Sequence, residues 1–552
     1  MPGTHALIRP GREHSEFQQE AKEHIMHFAP LARCYHSRVH ISPARLTKHA
    51  APVSSAKAAY RKLIVLALSV VILHTFANGQ YGFHRDELLT LDNARHLSWG
   101  YVVYPPITPF LGRVELELFG ASLRGFRGFA ALAQGLALLL TGLAARELGG
   151  SSQAQLVGAV ASSIGGHTLF SGSFMSYSSF DYLWWVLVAY FMIRFLKSDD
   201  PRWWVAIGTA IGLGMMTKYT MAFLVLGIVG GLALTPVRRF LRSPWFWCGV
   251  AAALLIMLPN VIWQIHNHFV SLEFLKTIHS RDISRGWTDY FLLNQLWKSA
   301  NPVTVPLWAA GLWYVFAVPE GKRYRLVGWM FVIPLVTLLA AKGRDYYLSP
   351  AYPMLLSAGS VWSERWVRTL DAPSSWRVRM NTWGSLGVAG LITAALTLPV
   401  APVSSRWWRV ADSANGGNFN SQIGWPDLVE TVAKVRDSLP VQEQATLGIF
   451  AGDDGETGAL NLYGAVYGLP RAISGSNSNW MRGYGDPPPV TVITVGMNRD
   501  FLVRTFDSCQ LAGRVTNRYS IENSAIAYPD IYVCRHLHLP WPDFWKTFGY
   551  YG

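Results

Sequence analysis

Apolar runs long enough to cross a bilayer recur between residues 61 and 400, and this repetition constrains the chain more than any single motif. A spanning helix needs roughly 17–25 mainly apolar residues. Such segments lie near 61–79, 128–147, 153–171, 180–197, 203–217, 219–236, 245–264, 302–318, 325–341, 348–366 and 382–400, which predicts eleven transmembrane helices. Only 15% of the 552 residues are charged, against about 25% in soluble domains. The 23 Trp, 23 Tyr and 27 Phe fit a chain with two membrane interfaces. Net charge is +14, but the Lys and Arg fall mostly in short loops between apolar runs, so no nucleic-acid partner is implied.

Lys and Arg also set the sidedness. Lys57, Arg61 and Lys62 precede the first span, and "KSDDPRW", "TPVRRFLRSP", "EGKRYR" and "SERWVRTLDAPSSWRVR" follow on the same side, which is expected to be cytoplasmic. The outer side then receives 80–127, Lys218, 265–301, "AKGRDYY" and everything beyond about residue 403. The expected division is a disordered cytoplasmic extension over 1–56, a membrane part over 57–403 and an extracytoplasmic α/β domain over 404–552. In that last region "WPDLVETVAKVRDSLP" has helical periodicity, while "ATLGIF", "VTVITVG" and "IYVCR" read as strands. Its Cys509 and Cys534 can pair if the region meets an oxidising compartment.

Two outer segments carry amphipathic patterns. In "DELLTLDNARHLSWG", Leu88, Leu91, Ala94 and Leu97 recur every third residue, which predicts a helix lying on the membrane surface. The segment 265–301 repeats the pattern in "SLEFLKTIHSRD" and "DYFLLNQLW". Together they suit the roof of a cavity at the membrane boundary.

The chemistry-bearing candidates gather at that boundary. Asp86 and Glu87 follow the first span directly, and ionisable groups at such a site are functional hypotheses by default. A positioned carboxylate can take a proton from an acceptor, while its neighbour orients substrate, binds a metal or bonds backbone. The competing reading is a solvated loop paired with His84 and Arg85. Asp181 opens the fourth span from the same side, where a carboxylate is also favoured by the helix dipole. Lys218, Lys342 and Arg344 emerge on the outer side against the usual bias. They suit a phosphate leaving group, or else snorkel to the interface. Walker A, GxSxG and HExxH motifs are absent from the sequence, which argues against ATP-driven transport.

"FHRDELLTLDNARHLSWGYVVYPPITPFLGRVELELFG" resembles the bacterial glycosyltransferase family 39 proteins, relatives of protein O-mannosyltransferases and of the aminoarabinose transferase that modifies lipid A. The resemblance continues through "FDYLWWVLVAYFMIRFLKSDDPRWWVAIGTAIGLGMMTKYT" and "GRDYYLSPAYPMLLSAG", and covers about residues 60 to 550. It implies the GT-C fold, a polyprenyl-phosphate-sugar donor, an extracytoplasmic acceptor and inverting transfer at the bacterial inner membrane. It implies Asp86 as base, Glu87 and Asp181 as supporting acids, and Pro105–Pro106 as the family's Pro-Pro turn; Lys218, Lys342, Arg344, Tyr346, Pro105 and Pro106 are the substrate-binding candidates. Tyr104 stands where relatives often have His, so no role for that His carries over. A divalent metal is left open, with Glu87 its only candidate ligand. "GDDGETGALNLYGAVYGLPRAISGSNSNWMRGYG" is similar to the outer domain of an uncharacterised branch, including Glu456, whose role stays open. The alternative function is a transporter or lipid flippase that uses the same outer acids for ions or headgroups.

Overall fold

A computed structural model describes residues 53–552, so the expected extension over 1–56 lies almost wholly outside the described residues. Helix α1 (Val53–Ala77) leads to the short α2 (Arg85–Arg95) and α3 (Ile107–Phe119). Next come α4 (Gly128–Glu147), α5 (Ser152–Ser163), α6 (Gly166–Ser171), α7 (Tyr177–Ser198), α8 (Trp203–Met215), α9 (Met221–Leu234) and α10 (Pro244–His266). Helix α11 (Val270–Ser284) precedes α12 (Val305–Phe316), α13 (Arg325–Ala340), α14 (Tyr352–Val367) and α15 (Ala372–Thr397).

Every expected span is helical, but they are not equally long. Length and composition suit five helices to cross a membrane, or six when α9 and the following turn Pro236–Arg242, bent by 103°, count as one span. The expected span 153–171 is divided between α5 and α6 at Ile164–Gly165. Helix α8 has 13 residues, about 20 Å at 1.5 Å per residue, shorter than the roughly 30 Å hydrocarbon layer. The chain breaks between α8 and α9 at Lys218, so a charged residue occupies the gap instead of a helix interior.

Glycines let these helices approach closely. A Cβ on Gly208 of α8 would lie 1.9 Å from the Gly249 carbonyl of α10, and one on Gly359 of α14 would lie 1.7 Å from the Leu307 carbonyl of α12. Between helices in lipid, such backbone proximity supplies the dispersion contact that apolar solvent does not.

After α16 (Arg406–Ala414) and α17 (Trp425–Asp437), a mixed sheet forms from β1 (Leu447–Ala451), β2 (Ala472–Ile473), β3 (Thr491–Val495), β4 (Phe506–Arg514) and β5 (Asp530–Leu537). Its order is β2-β1-β3-β5-β4, with β1 parallel to both neighbours and β5 antiparallel to both of its own. The three strands expected from sequence are β1, β3 and β5; the short β2 and the exposed edge strand β4 went unread. Helix α17 packs Trp425, Leu428, Val429 and Val432 into one core. Helix α20, which is preceded by α18 (Asp454–Tyr463) and α19 (Arg499–Thr505), spans Trp541–Phe548 and closes the other side over Phe450. Cys509 and Cys534 face each other across β4 and β5 and are disulfide-bonded.

Helix α2 departs from the expected surface helix. Leu88, Leu91 and Ala94 are fully buried, but so are Glu87, Asp92 and Asn93 on its other sides, and only Leu97 beyond its end is exposed. Helix α18 covers the side expected to face water: Gly458 sits so close that a Cβ there would lie 2.6 Å from the Leu88 carbonyl. Arg482 pairs with Asp92 and also donates to Asn93, while Asn461 Nδ2 donates to Asp92 at 3.1 Å.

The start of α2 is fixed still more firmly. His84 caps it, its Nδ1 accepting from the Asp86 amide at 3.1 Å while Glu87 Oε2 accepts from the His84 amide at 2.8 Å. Arg127 Nε donates to Glu87 Oε1 at 2.8 Å and its Nη2 to Oε2 at 2.6 Å, with both residues fully buried. Arg127 also reaches the carbonyls of Asn78 and Gly82, and the Met175 amide donates to Glu87 Oε1. Removing one member leaves the other charge buried and unpaired. Arg127→Met is therefore expected to cost about 3–5 kcal/mol, seen as a lower melting temperature in detergent, whereas Glu87→Gln combined with Arg127→Met loses less than Arg127→Met alone. Equal melting temperatures for wild type and Arg127→Met would show that the pair is not what fixes α2.

Candidate active site

A cavity of about 650 Å³ opens where α2, the Pro-Pro turn, the α8–α9 break, α11, the 341–347 loop and the β1–α18 turn converge. Of the residues expected from sequence, Asp86, Pro105, Lys218, Lys342, Arg344 and Tyr346 line it. Glu87, Asp181 and Pro106 do not.

Asp86 sits in the first turn of α2, its side chain 41% exposed. Arg85 Nε lies 3.4 Å from its Oδ1 and His84 Nδ1 lies 3.8 Å from its Oδ2. Because His84 Nδ1 accepts from the Asp86 amide, its proton is on Nε2, which faces Asn418 Oδ1 at 3.2 Å. Burial lowers the His84 pKa and favours this neutral ring. The adjacent acid, Glu87, points the opposite way. All its bonds go to Arg127, His84 and Met175, so it is unavailable as the metal ligand left open by the sequence. Among the described residues, no group of three or more His, Cys, Asp or Glu is arranged to hold a metal ion.

Lys218 occupies the break between α8 and α9, and the Ile107 amide just after the Pro-Pro turn donates to the Met216 carbonyl beside it at 3.0 Å. Its Nζ donates to Ser178 Oγ at 3.1 Å and lies over the rings of Tyr177, Tyr346 and Tyr347, at 5.0, 4.8 and 4.7 Å from their centroids. Three aromatic faces hold an ammonium without neutralising it. Asp181 is buried behind this cage, with Oδ2 accepting from Thr220 Oγ1 at 2.8 Å and Oδ1 unpartnered. It is not among the residues that line the cavity. Arg344 is already gripped: Nε and Nη2 donate to Asp282 at 2.6 and 3.3 Å, and the guanidinium lies 4.4 Å from the Trp287 ring centroid. The fork expected to take a phosphate is thus turned to a carboxylate. Lys342 is exposed at the rim.

The structure adds cavity residues that sequence reasoning missed. Arg281 and Lys276 come from α11, and Asp453, Asp454 and Asn477 from the C-terminal region. Asp453 caps α18, accepting from the amides of Gly455 and Glu456. Asp454 accepts from Asn479 Nδ2 at 2.9 Å and from Asn477 Nδ2. Burial raises the carboxyl pKa of Asp453, and raises that of Asp454 to about 6. A signal for them was present: an acid pair where a strand ends and a helix begins, the usual ligand edge of an α/β sheet. Glu456, the acid of that segment singled out from sequence, is buried with Oε2 accepting from the Gly452 amide at 3.0 Å. It folds the β1–α18 turn against Gly496, whose φ of +69° and lack of Cβ leave room for the carboxylate.

Comparison with known proteins agrees with this architecture. Residues 103–263 match the dolichyl-phosphate-mannose-protein mannosyltransferase family, which covers well under half of the chain. The lipid A galacturonosyltransferase RgtD of Rhizobium johnstonii is 26% identical over 361 residues, 62% of this chain and 70% of that protein. The undecaprenyl phosphate-alpha-4-amino-4-deoxy-L-arabinose arabinosyl transferase 1 of Pseudomonas fluorescens is 26% identical over 343 residues, 58% of this chain and 57% of that protein. Among solved structures, ArnT from Cupriavidus metallidurans bound to undecaprenyl phosphate superposes with a TM-score of 0.53 at 14% identity, covering 87% of this chain and 98% of that one. The apo state of the same protein gives 0.52. Taken with the apolar helices, these similarities give the chain an ArnT-like GT-C fold and place over residues 103–263 a match to the dolichyl-phosphate-mannose-protein mannosyltransferase family, in keeping with glycosyltransferase activity.

Proposed function

We propose that this protein moves a sugar from a polyprenyl-phosphate donor to an acceptor on the outer face of the bacterial inner membrane, with Asp86 as base. The observation that carries the reading is the shared cavity: a half-exposed carboxylate and a caged ammonium without a carboxylate partner among the described residues open onto one space. In the proposed step the Asp86 carboxylate takes the proton from an acceptor hydroxyl. The acceptor oxygen forms a bond to the anomeric carbon as the bond from that carbon to phosphate oxygen breaks, and polyprenyl phosphate leaves. Attack opposite the leaving group inverts the anomeric centre. Lys218 neutralises the charge that grows on the phosphate, assisted by Arg281, Lys342 and whatever part of Arg344 turns from Asp282. Glu87 and Asp181 act as positioning residues, the first through α2 and the second through Lys218.

Several features support this reading. The mannosyltransferase match begins at Val103, inside the cavity wall. Undecaprenyl phosphate is the ligand named for the ArnT structure whose fold this chain shares. The Cys509–Cys534 disulfide suits an oxidising compartment and hence an outer C-terminal region, read as a domain over 404–552 beside the membrane part over 57–403. Transport is the weaker alternative, because the acids lie at one boundary whereas transporter sites usually lie near the midplane.

Asp86→Asn keeps the first-turn position and removes no side-chain hydrogen bond, since the nearest groups, Arg85 Nε and His84 Nδ1, lie 3.4 and 3.8 Å away. It is expected to reduce polyprenyl phosphate release by about 10²–10⁴ with the melting temperature unchanged; full turnover by a folded Asp86→Asn protein would remove Asp86 from the mechanism. Lys218→Met is expected to weaken binding of polyprenyl phosphate about 10- to 100-fold, as for loss of a hydrogen bond to a charged group. Titration of the purified protein in lipid measures it, and unchanged affinity would assign the phosphate to the α11 cations instead.

A further inference from the structure

Arg85 lines the cavity beside Asp86, and the transfer step described above gives it no part. It is the first residue of α2, and its Nε lies 3.4 Å from Asp86 Oδ1. Among the described residues it is the only charged donor within 4 Å of that carboxylate, because the neutral His84 ring turns its unprotonated Nδ1 toward the acid. The place of Arg85 is set by the C-terminal region. A Cβ on Gly455 would lie 2.9 Å from Arg85 Cβ, 2.9 Å from Trp425 Cη2 and 3.2 Å from Asp453 Oδ1. Arg85 is thus pressed onto the first turn of α18 at a point where a side chain does not fit. Asp453, which caps that helix, flanks the same point. Asp86 most strongly, then Asp453, Asp454 and Tyr177, raise the Arg85 pKa against the opposing effect of its partial burial. One guanidinium is therefore shared by the α2 acid and the acids of the β1–α18 turn.

We infer that Arg85 is a positioning residue for transfer, holding the Asp86 carboxylate in place and coupling it to Asp453 of the C-terminal region. The inference rests on the proposed reading of Asp86 as base. Before transfer, Arg85 opposes the Asp86 charge and restrains a side chain that accepts no hydrogen bond from the described residues. During transfer Asp86 takes the proton of the acceptor hydroxyl and becomes neutral. A cation paired with that acid alone would be left without a counter-charge and would oppose the step. Arg85 keeps Asp453 and Asp454 as counter-charges, so protonation of Asp86 leaves it balanced. The C-terminal region thereby contributes to the reaction through Arg85 without a group of its own in contact with the reacting atoms.

The test is a pair of double-mutant cycles on full-length protein in lipid nanodiscs. Turnover is followed as polyprenyl phosphate released from a polyprenyl-phosphate sugar, and affinity for polyprenyl phosphate is titrated alongside. Arg85→Gln is expected to lower kcat about 10- to 100-fold, with KM for the donor and affinity for polyprenyl phosphate within about twofold of wild type. Its melting temperature is expected to be unchanged, since the Arg85 side chain is 45% exposed. In an Asp86→Asn background the same substitution is expected to change the residual rate less than about twofold, as for groups that act as a unit. Asp453→Asn keeps the α18 cap, which Asn provides as well as Asp. It is expected to lower kcat in the wild-type chain and to have no further effect beside Arg85→Gln. Losses that add in either cycle overturn the inference, because Arg85 or Asp453 would then act on substrate independently. A wild-type kcat in Arg85→Gln, or a loss confined to KM, overturns it too. Full turnover by Asp86→Asn sinks the base reading and the inference with it, whereas loss in Asp86→Asn with additive Arg85→Gln sinks the inference alone.

Discussion

The buried pair Glu87–Arg127 is the constraint on which the site depends. Two full charges without solvent access are stable only when every bonding position is used, and here Arg127 reaches two backbone carbonyls and both Glu87 oxygens. Those bonds tie the end of α1, the start of α2 and the start of α4 to one point. Asp86, one residue before Glu87, is thereby directed into the cavity because its neighbour is directed away. Adjacent acids in a helix first turn cannot share a direction, and burial of one decides the exposure of the other.

The same logic sets the C-terminal region against the membrane part. Helix α18 lies on α2 through Gly458, Arg482 pairs with Asp92, and Arg95 donates to the Asn461 carbonyl at 2.9 Å. Without these contacts the polar side of α2 would face solvent, as its sequence suggests. With them, the turn between β1 and α18 stands over the cavity and brings Asp453 and Asp454 to it. The C-terminal region is thus part of the cavity wall, and its sheet fixes two carboxylates relative to Asp86.

Much of this was legible in the sequence, and the remainder was hidden for physical reasons. Apolar runs located helical segments because lipid leaves the backbone few alternatives, although only five or six of the helices are long and apolar enough to cross a membrane. They gave poor lengths because burial inside the bundle, unlike contact with lipid, does not require a full span. Asp86 and Lys218 were visible as charges at a boundary. The cap on α2 was not, because His84 does the work usually given to Ser, Thr, Asp or Asn. Arg127 was not, because it lies 40 residues from Glu87 with no pattern linking them. In "GDDGETG" the sequence offered three acids, and the one that was singled out, Glu456, is the one the fold consumes.

The cavity carries both cations and carboxylates, and the chemistry proposed here needs them kept from pairing. A transferase that releases phosphate needs cations where the leaving group departs and a carboxylate where the nucleophile approaches, and in-line displacement sets these on opposite sides of the anomeric carbon. Mixed together, the two sets would neutralise one another and neither would act on substrate. In this protein Arg344 shows that outcome locally, since Asp282 takes both of its bonding nitrogens. Lys218 escapes it because three tyrosine rings, rather than a carboxylate, hold its ammonium. Aromatic faces stabilise a cation without supplying a lone pair that a phosphate must displace. On this reading the tyrosine cage is what leaves the Lys218 ammonium free for a phosphate, while Asp181 stays out of the cavity lining.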